Sequence, residues 1–171
     1  MPREETSAVE VEIVPATIEQ EPVLANLLEL YAHDFSEFSE MEIGADGRFN
    51  YPYLSLYWKE PHRHPFLIRT DGKLAGFVLL QKGSQVSGDK EIWDVAEFFI
   101  LRSYRRRGVG MKAAHAVWRM FSGQWEVRVM ERNRQAKEFW ERAINEFTGE
   151  TIPDVIVEAG ARRWHVFSFQ S

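Results

Sequence analysis

Four arginines fall within six positions, Arg102, Arg105, Arg106 and Arg107, and the last three run directly into Gly108-Val109-Gly110. A glycine turn that opens a helix leaves backbone N–H groups without intrahelical partners, and the helix dipole adds positive potential at the same place. Glycines at 108 and 110 let the backbone approach a bulky anion without Cβ clashes. Arg105 to Gly110 therefore point to a phosphate-bearing ligand. Just upstream stand two carboxylates, Asp94 and Glu97. On a regular strand they face opposite ways, being three positions apart, unless a bulge turns one round. Glu97 lies inside Val95-Ala96-Glu97-Phe98-Phe99, where an ionised carboxylate is costly unless it is used or paired. It reads either as a general base or as the buried partner of an arginine. Asp94 reads either as a base or as a solvated strand-edge carboxylate.

The elements around these residues follow from periodicity. Ile92–Leu101, rich in β-branched and aromatic residues, reads as the strand that delivers the basic turn. Val109, Ala113, Ala116, Val117, Met120 and Phe121 form the apolar stripe of the helix that leaves it. Earlier, residues 8–14 alternate apolar and acidic as a strand, and Pro22 opens a helix with Val23, Leu24, Leu27, Leu28, Tyr31 and Phe35 on one side. Residues 66–70 and 74–80 are two strands joined at Asp71-Gly72. Trp125–Met130 is a short strand, Asn133 opens a helix striped by Ala136, Phe139, Trp140, Ala143, Ile144 and Phe147, and 152–157 and 162–169 are the last strands. The order predicts one mixed α/β domain over 8–171, behind a polar tail at 1–7. Residues 36–65 lack clear periodicity and hold Phe38, Phe49, Tyr51, Tyr53, Tyr57 and Trp58. Irregular insertions of this length are usually functional.

Composition narrows the classes. With 171 residues and 44% hydrophobic content the chain can bury a real core. The absence of cysteine excludes disulfides, zinc–thiolate sites and a thiol nucleophile. A net charge of −5 argues against non-specific nucleic-acid binding. The polar opening Met1–Ser7 has no signal-peptide core and no window is apolar enough to span a bilayer, which leads to the expectation of a cytoplasmic protein with no membrane partner. His62 and His64 lack a partner cluster, so no metal site is expected; they read as exposed loop histidines, with His64 placed to line an acceptor pocket. His33-Asp34 either faces that pocket or complements the first helix's dipole. A dinucleotide-binding reading fails, because the turn has two of three glycines and Arg128-Val129-Met130 stands where a ribose-binding acid belongs.

Two motifs together resemble those of the GCN5-related N-acetyltransferase (GNAT) superfamily. Arg105-x-x-Gly108-x-Gly110 is similar to its pyrophosphate loop, and Asn133-x-x-Ala136-x-x-Phe139-Trp140 to its asparagine-led helix. One helix and one strand separate them, as in the family. The resemblance spans about 66–147, extends to 9–35, and is only one of general layout for 36–65 and the C-terminal hairpin. It implies a twisted mixed sheet of six or seven strands, splayed at its centre and flanked by helices, holding acetyl-CoA in the cleft. The pantetheine arm would lie against Phe98, Phe99 and Ile100. Arg105, Arg106, Arg107, Gly108, Val109 and Gly110 would bind the pyrophosphate, and Asn133 would contact the cofactor from the other side, unless it is an ordinary helix cap.

The resemblance further implies acetyl transfer to an amine of a small molecule or peptide by direct attack in a ternary complex. Such an amine is mostly protonated at neutral pH, so a carboxylate is the usual base; Glu97 is preferred over Asp94. Tyr31, Tyr51, Tyr53, Tyr57 and His64 are the expected acceptor-binding residues. Two departures stand out: Ala96 where some relatives carry a glutamate, and Trp140 where many carry a tyrosine that protonates the leaving thiolate. An indole N–H is not a usable acid. Both departures would suit a non-catalytic acyl-CoA-binding or regulatory module on the same fold, which is the alternative. Sheet edges and the C-terminal hairpin leave a homodimer open.

Overall fold

The computed structural model describes residues 8–171; the polar tail expected at 1–7 lies outside the described residues. Seven strands and three helices follow in the expected order: β1 (Val11–Pro15), α1 (Glu21–Phe35), β2 (Arg63–Thr70), β3 (Lys73–Lys82), β4 (Trp93–Ile100), α2 (Val109–Met120), β5 (Gln124–Met130), α3 (Arg134–Thr148), β6 (Asp154–Ala159) and β7 (Arg162–Gln170). The strands form one open sheet in the order β1-β2-β3-β4-β5-β7-β6. Every neighbouring pair is antiparallel except β4 and β5.

The period-two pattern separates two cores. On one face Ile68, Val78, Leu80, Val95 and Val127 pack under α2 and α3, with Trp118, Ala143 and Ile144 fully or nearly fully enclosed. On the other, Leu67, Phe77, Leu79 and Phe99 receive Leu24, Leu27 and Leu28 of α1. The β2–β3 turn is the two-residue kind expected at Asp71-Gly72, with φ of 49° and 72°. At Gly76 of β3 the backbone of β4 lies close. A Cβ there would lie 1.9 Å from the Phe99 carbonyl oxygen, a backbone atom that cannot swing aside. Gly76→Ala is therefore expected to cost about 3 kcal/mol or more, read as a fall in the thermal midpoint.

Two expectations need correction. β2 begins at Arg63, three residues before the expected start, so His64 lies in a strand instead of a loop. Its ring packs 5.4 Å from Trp93 and 5.2 Å from Phe121, against the end of α2. The 36–62 segment is irregular apart from a short turn of helix at Leu54–Trp58; most of it is exposed, but that turn enters the core. Tyr57 is 2% exposed beside Leu54, and the Trp58 indole donates to the Ala16 carbonyl at 2.9 Å. The Glu29 carboxylate accepts from the Phe49 and Asn50 N–H groups at 2.8 and 2.9 Å, which fastens the segment to α1. Its aromatics serve the second core as much as any pocket.

Candidate active site

The basic turn is built as its residue types require. Gly108 caps α2 at φ 79°, and Arg106 is also left-handed at 59°, so the chain bends sharply into the helix. No side chain caps the N-terminus of α2, and its first turn holds no acid. Among the described residues, the N–H groups of 106–108 donate to no protein acceptor, and those of 109 and 110 open the helix, where no partner four residues back exists. The four arginines divide into pairs. Asp34, at the end of α1, receives Arg102 at 2.6 Å and Arg105 at 2.7 Å, and Arg105 also donates to the Ile100 carbonyl at 2.8 Å. Although partial burial opposes it, those two hydrogen bonds hold the Asp34 carboxyl below its usual range. Arg106 and Arg107 are exposed and form no ion pair among the described residues. Gly110 faces α3, where an added Cβ would sit 3.2 Å from the Phe139 ring. The two motifs thus touch.

Between β4 and β5 the sheet comes apart. Their parallel ladder contains only Trp93↔Trp125 and Asp94↔Glu126, after which the strands diverge. The cause lies in β4 itself. Leu80 pairs with Val95 and Leu79 with Glu97, so Ala96 is an unpaired bulge residue. A bulge sharpens twist and bends its strand, here away from β5. It also resets the alternation: Asp94 opposes Gln81 and Glu97 opposes Leu79, which brings both carboxylates to the α1 face.

Their surroundings then differ in a way opposite to the simplest expectation. Asp94, fully buried, is the arginine-paired one. Arg128 of β5 grips it from Nε and Nη2, both at 3.1 Å, and the Gln81 amide adds a third donor at 2.8 Å. Burial works against the Arg128 charge, but Asp94 holds the guanidinium above its ordinary value. Glu97 instead is held by hydroxyls. Tyr31 donates to Oε2 at 2.5 Å and Tyr51 to Oε1 at 3.2 Å. Burial pushes the Glu97 carboxyl up to about 7, opposed by the two hydroxyls and Arg128 and reinforced by the Asp94 charge. Glu97 nevertheless keeps an opening to solvent through the cleft. Burial, followed by the Glu97 charge, pushes both tyrosines above their ordinary range, so they remain donors.

The cleft itself has a volume of about 290 Å³ and runs through the split. Its walls include Val95–Phe98 of β4, Val127–Met130 of β5 and Asn133, Ala136 and Trp140 of α3. Of the expected acceptor residues, Tyr31 and Tyr51 line it. Tyr53 stands outside at 56% exposure with its ring against Tyr51, Tyr57 is sealed in the α1 core, and His64 is on the far face. Asn133 does cap α3, accepting from the Ala136 N–H at 3.0 Å, while also lining the cleft. Trp140 is 7% exposed and wedged between Phe98 and Phe139, each 4.9 Å away between centroids. Sequence reasoning missed Arg128, Arg162 and Trp164, which close the cleft's β5–β7 side. The signal was present in Glu126-Val127-Arg128-Val129, where two opposite charges share one face of a strand whose other face is apolar.

The site thus combines a split sheet, a basic turn at the open N-terminus of α2 and, at the parting, a buried carboxylate raised to about 7. The model of the acetyltransferase (GNAT) family matches residues 24–145, and the chain belongs to that family. Solved structures agree in fold. An acetyltransferase from Thermus thermophilus is 17% identical with a TM-score of 0.70, covering 96% of this chain and 99% of its own. The aminoglycoside acetyltransferase AAC(6')-Ib, in complex with coenzyme A, is 12% identical with a TM-score of 0.70 over 94% of this chain and 95% of its own. A SpeG spermidine N-acetyltransferase F149G mutant from Vibrio cholerae is 11% identical with a TM-score of 0.60, over 94% and 93%. No curated protein matches the chain. Among the described residues no helix is long and apolar enough to cross a membrane.

Proposed function

We propose that the protein is an N-acetyltransferase that moves the acetyl group of acetyl-CoA to an amine by direct attack in a ternary complex. The observation that carries this reading is Glu97, a carboxylate raised to about 7 by burial and aimed into the cleft where β4 and β5 part. The surroundings fit an acyl-CoA. Past Asp94 and Glu126 the facing edges of β4 and β5 no longer pair, leaving Phe98, Phe99 and Ile100 beside the opening for the pantetheine arm. The N–H groups of 106–110, with the free Arg106 and Arg107, would hold the pyrophosphate, and Arg105 braces the turn through Asp34 and Ile100. Acetyl-CoA supplies a thioester whose carbonyl carbon accepts the amine and whose sulfur leaves. One N–C bond forms, the C–S bond breaks, the amine gives up a proton and the sulfur gains one.

Glu97 takes the amine's proton. Its tuning to about 7 places it near the working pH, where a base is both ionised and able to accept. The Tyr31 and Tyr51 hydroxyls keep it ionised enough to act and fix its orientation. Once protonated it is a stronger acid than either tyrosine, both of which are held above their ordinary values. Glu97 is thus the group best suited to return a proton to the leaving side, where buried Trp140 offers none. Asp94 is committed to Arg128 and acts as a positioning residue, setting the guanidinium beside Glu97.

The burial of Trp140 among aromatics also suits a binding module without turnover, and the two readings part on one assay. Release of free CoA thiol from acetyl-CoA is measured against pools of amino acids, simple amines, polyamines, aminoglycosides and peptides. Acceptor-dependent release is expected; tight acetyl-CoA binding with no release from any pool would favour the module. Gly108→Val forces a β-branched residue into the left-handed region at the mouth of the turn. It is expected to weaken acetyl-CoA binding about tenfold, from a conformational penalty of roughly 1–2 kcal/mol. Calorimetric titration of acetyl-CoA checks this, and an unchanged Kd would remove the turn from the cofactor site.

A further inference from the structure

The acceptor side of the cleft has two guanidinium groups and one carboxylate. Arg128 and Arg162 line it, and among the described residues Glu97 is the one acid that does. Four carboxylates of the surrounding elements are engaged, whereas exposed Glu40 and Glu42, either side of Met41 at the cleft's edge, join no ion pair among the described residues. Asp34 holds Arg102 and Arg105, Glu29 accepts two backbone N–H groups, Asp94 is gripped by Arg128 and Gln81, and buried Glu126 takes the Ser84 hydroxyl at 2.6 Å. The arginines are not equally spent. Arg128 directs only Nε and Nη2 at Asp94, so Nη1 makes no hydrogen bond among the described residues, and the guanidinium lies over the Trp164 ring at 5.6 Å. Arg162 is exposed and joins no ion pair among the described residues. Both lie on the face of the sheet that carries Glu97: Arg128 opposes Val166, and Arg162 and Trp164 alternate with it along β7.

This charge pattern selects against a polycation. An acceptor with two ammonium groups would bring its second charge to exposed Arg162, which joins no ion pair among the described residues, and to the Nη1 edge of Arg128, whose charge Asp94 balances from the other side. The pattern suits an amine that also bears an anion. Resting on the acetyltransferase reading above, we propose that the acceptor is an amino carboxylate with an apolar or aromatic body. Its carboxylate would meet the Arg128 Nη1 edge and Arg162, its amine Glu97, and its body the wall of Tyr31, Phe35 and Trp164. A planar fork of N–H donors is the side chain best matched to a carboxylate.

The test compares acceptors that differ only in the carboxylate: phenylalanine against 2-phenylethylamine and phenylalaninamide, and leucine against 3-methylbutylamine, with spermidine and kanamycin as polycations. The carboxylated member of each pair is expected to be preferred by about tenfold or more in kcat/KM, the scale of one charge-assisted hydrogen bond. Arg162→Glu, at an exposed position that leaves the core intact, should raise KM for the carboxylated member about tenfold and leave acetyl-CoA binding unchanged. Tryptophan fluorescence supplies a second readout, since Trp164 and Trp140 both line the cleft, and binding of phenylalanine can be followed without turnover. Equal or better rates for the uncarboxylated amines or polycations would overturn this inference and leave the acetyltransferase reading standing. Phenylalanine binding that Arg162→Glu abolishes, with no turnover of any amine, would uphold the site and overturn the enzyme reading. Neither binding nor turnover would overturn both.

Discussion

Glu97→Gln is expected to lower kcat/KM by a factor of about 10²–10⁴ while leaving the acetyl-CoA Kd within about twofold of wild type, the scale of losing a positioned general base. Glutamine keeps the shape and still accepts from Tyr31 or Tyr51, so the loss would report proton transfer and not collapse of the cleft. The pH profile sharpens the claim. A base must be ionised, so wild-type kcat/KM should rise through an apparent pKa near 7, and this limb should vanish in the variant. Tyr31→Phe removes a donor that favours the ionised form, so it should move the limb to higher pH. Stability should change in the opposite sense to activity. The folded Glu97 pKa is raised above the ordinary 4.5, so its contribution is fully present below that value and lost as pH rises through about 7. At pH 8 the wild type carries a buried ionised carboxylate that the glutamine variant lacks. Glu97→Gln should therefore be the more stable protein at pH 8, by about 3 kcal/mol as an order of magnitude, and nearly equal to wild type at pH 4. Unchanged turnover across this range would remove Glu97 from the mechanism.

Why the turn at 105–110 was so much easier to read in the sequence than the walls of the cleft is a matter of local against assembled geometry. The turn at 105–110 is specified by its own residues: a glycine at a left-handed position, a second facing Phe139, and arginines ahead of a helix. Its pattern survives reading in one dimension, as do the strand and helix periods that give the order of elements. The wall of the cleft is made mostly from α1, the 36–62 segment, β4, β5 and β7, whose meeting depends on tertiary packing. Tyrosines 51, 53 and 57 look alike in the chain, yet one bonds Glu97, one faces solvent and one fills a core. The bulge at Ala96 was legible only as a need, because nothing in Val95-Ala96-Glu97 marks which residue lacks a partner; the register against β3 decides it. Arg128 illustrates the same limit. An arginine in an alternating strand reads as a solvent-facing residue until the strand's polar face is found turned into the cleft.

Asp94→Asn is expected to be the most destabilising conservative change in the site. Asp94 is fully buried and accepts three hydrogen bonds, two of them from the Arg128 fork. An asparagine offers one acceptor oxygen and turns an N–H₂ toward either Arg128 or Gln81, leaving a largely buried guanidinium uncompensated. Breaking a buried pair from one side typically costs about 3–5 kcal/mol, which for a chain of this size lowers the thermal midpoint by roughly 10 °C. The double variant Asp94→Asn, Arg128→Met removes both charges and should recover most of that loss, because the penalty belongs to the stranded charge and not to the missing contact. Thermal unfolding of the two single variants at pH 8 then separates two carboxylates only three residues apart. Substitution at 94 should destabilise and substitution at 97 should stabilise, although the bulge puts both on one face of one strand. What distinguishes them is the partner each met there, a guanidinium for Asp94 and two neutral hydroxyls for Glu97. Were Asp94→Asn to remain stable and lose turnover while Glu97→Gln kept it, the roles assigned to the two residues would be exchanged.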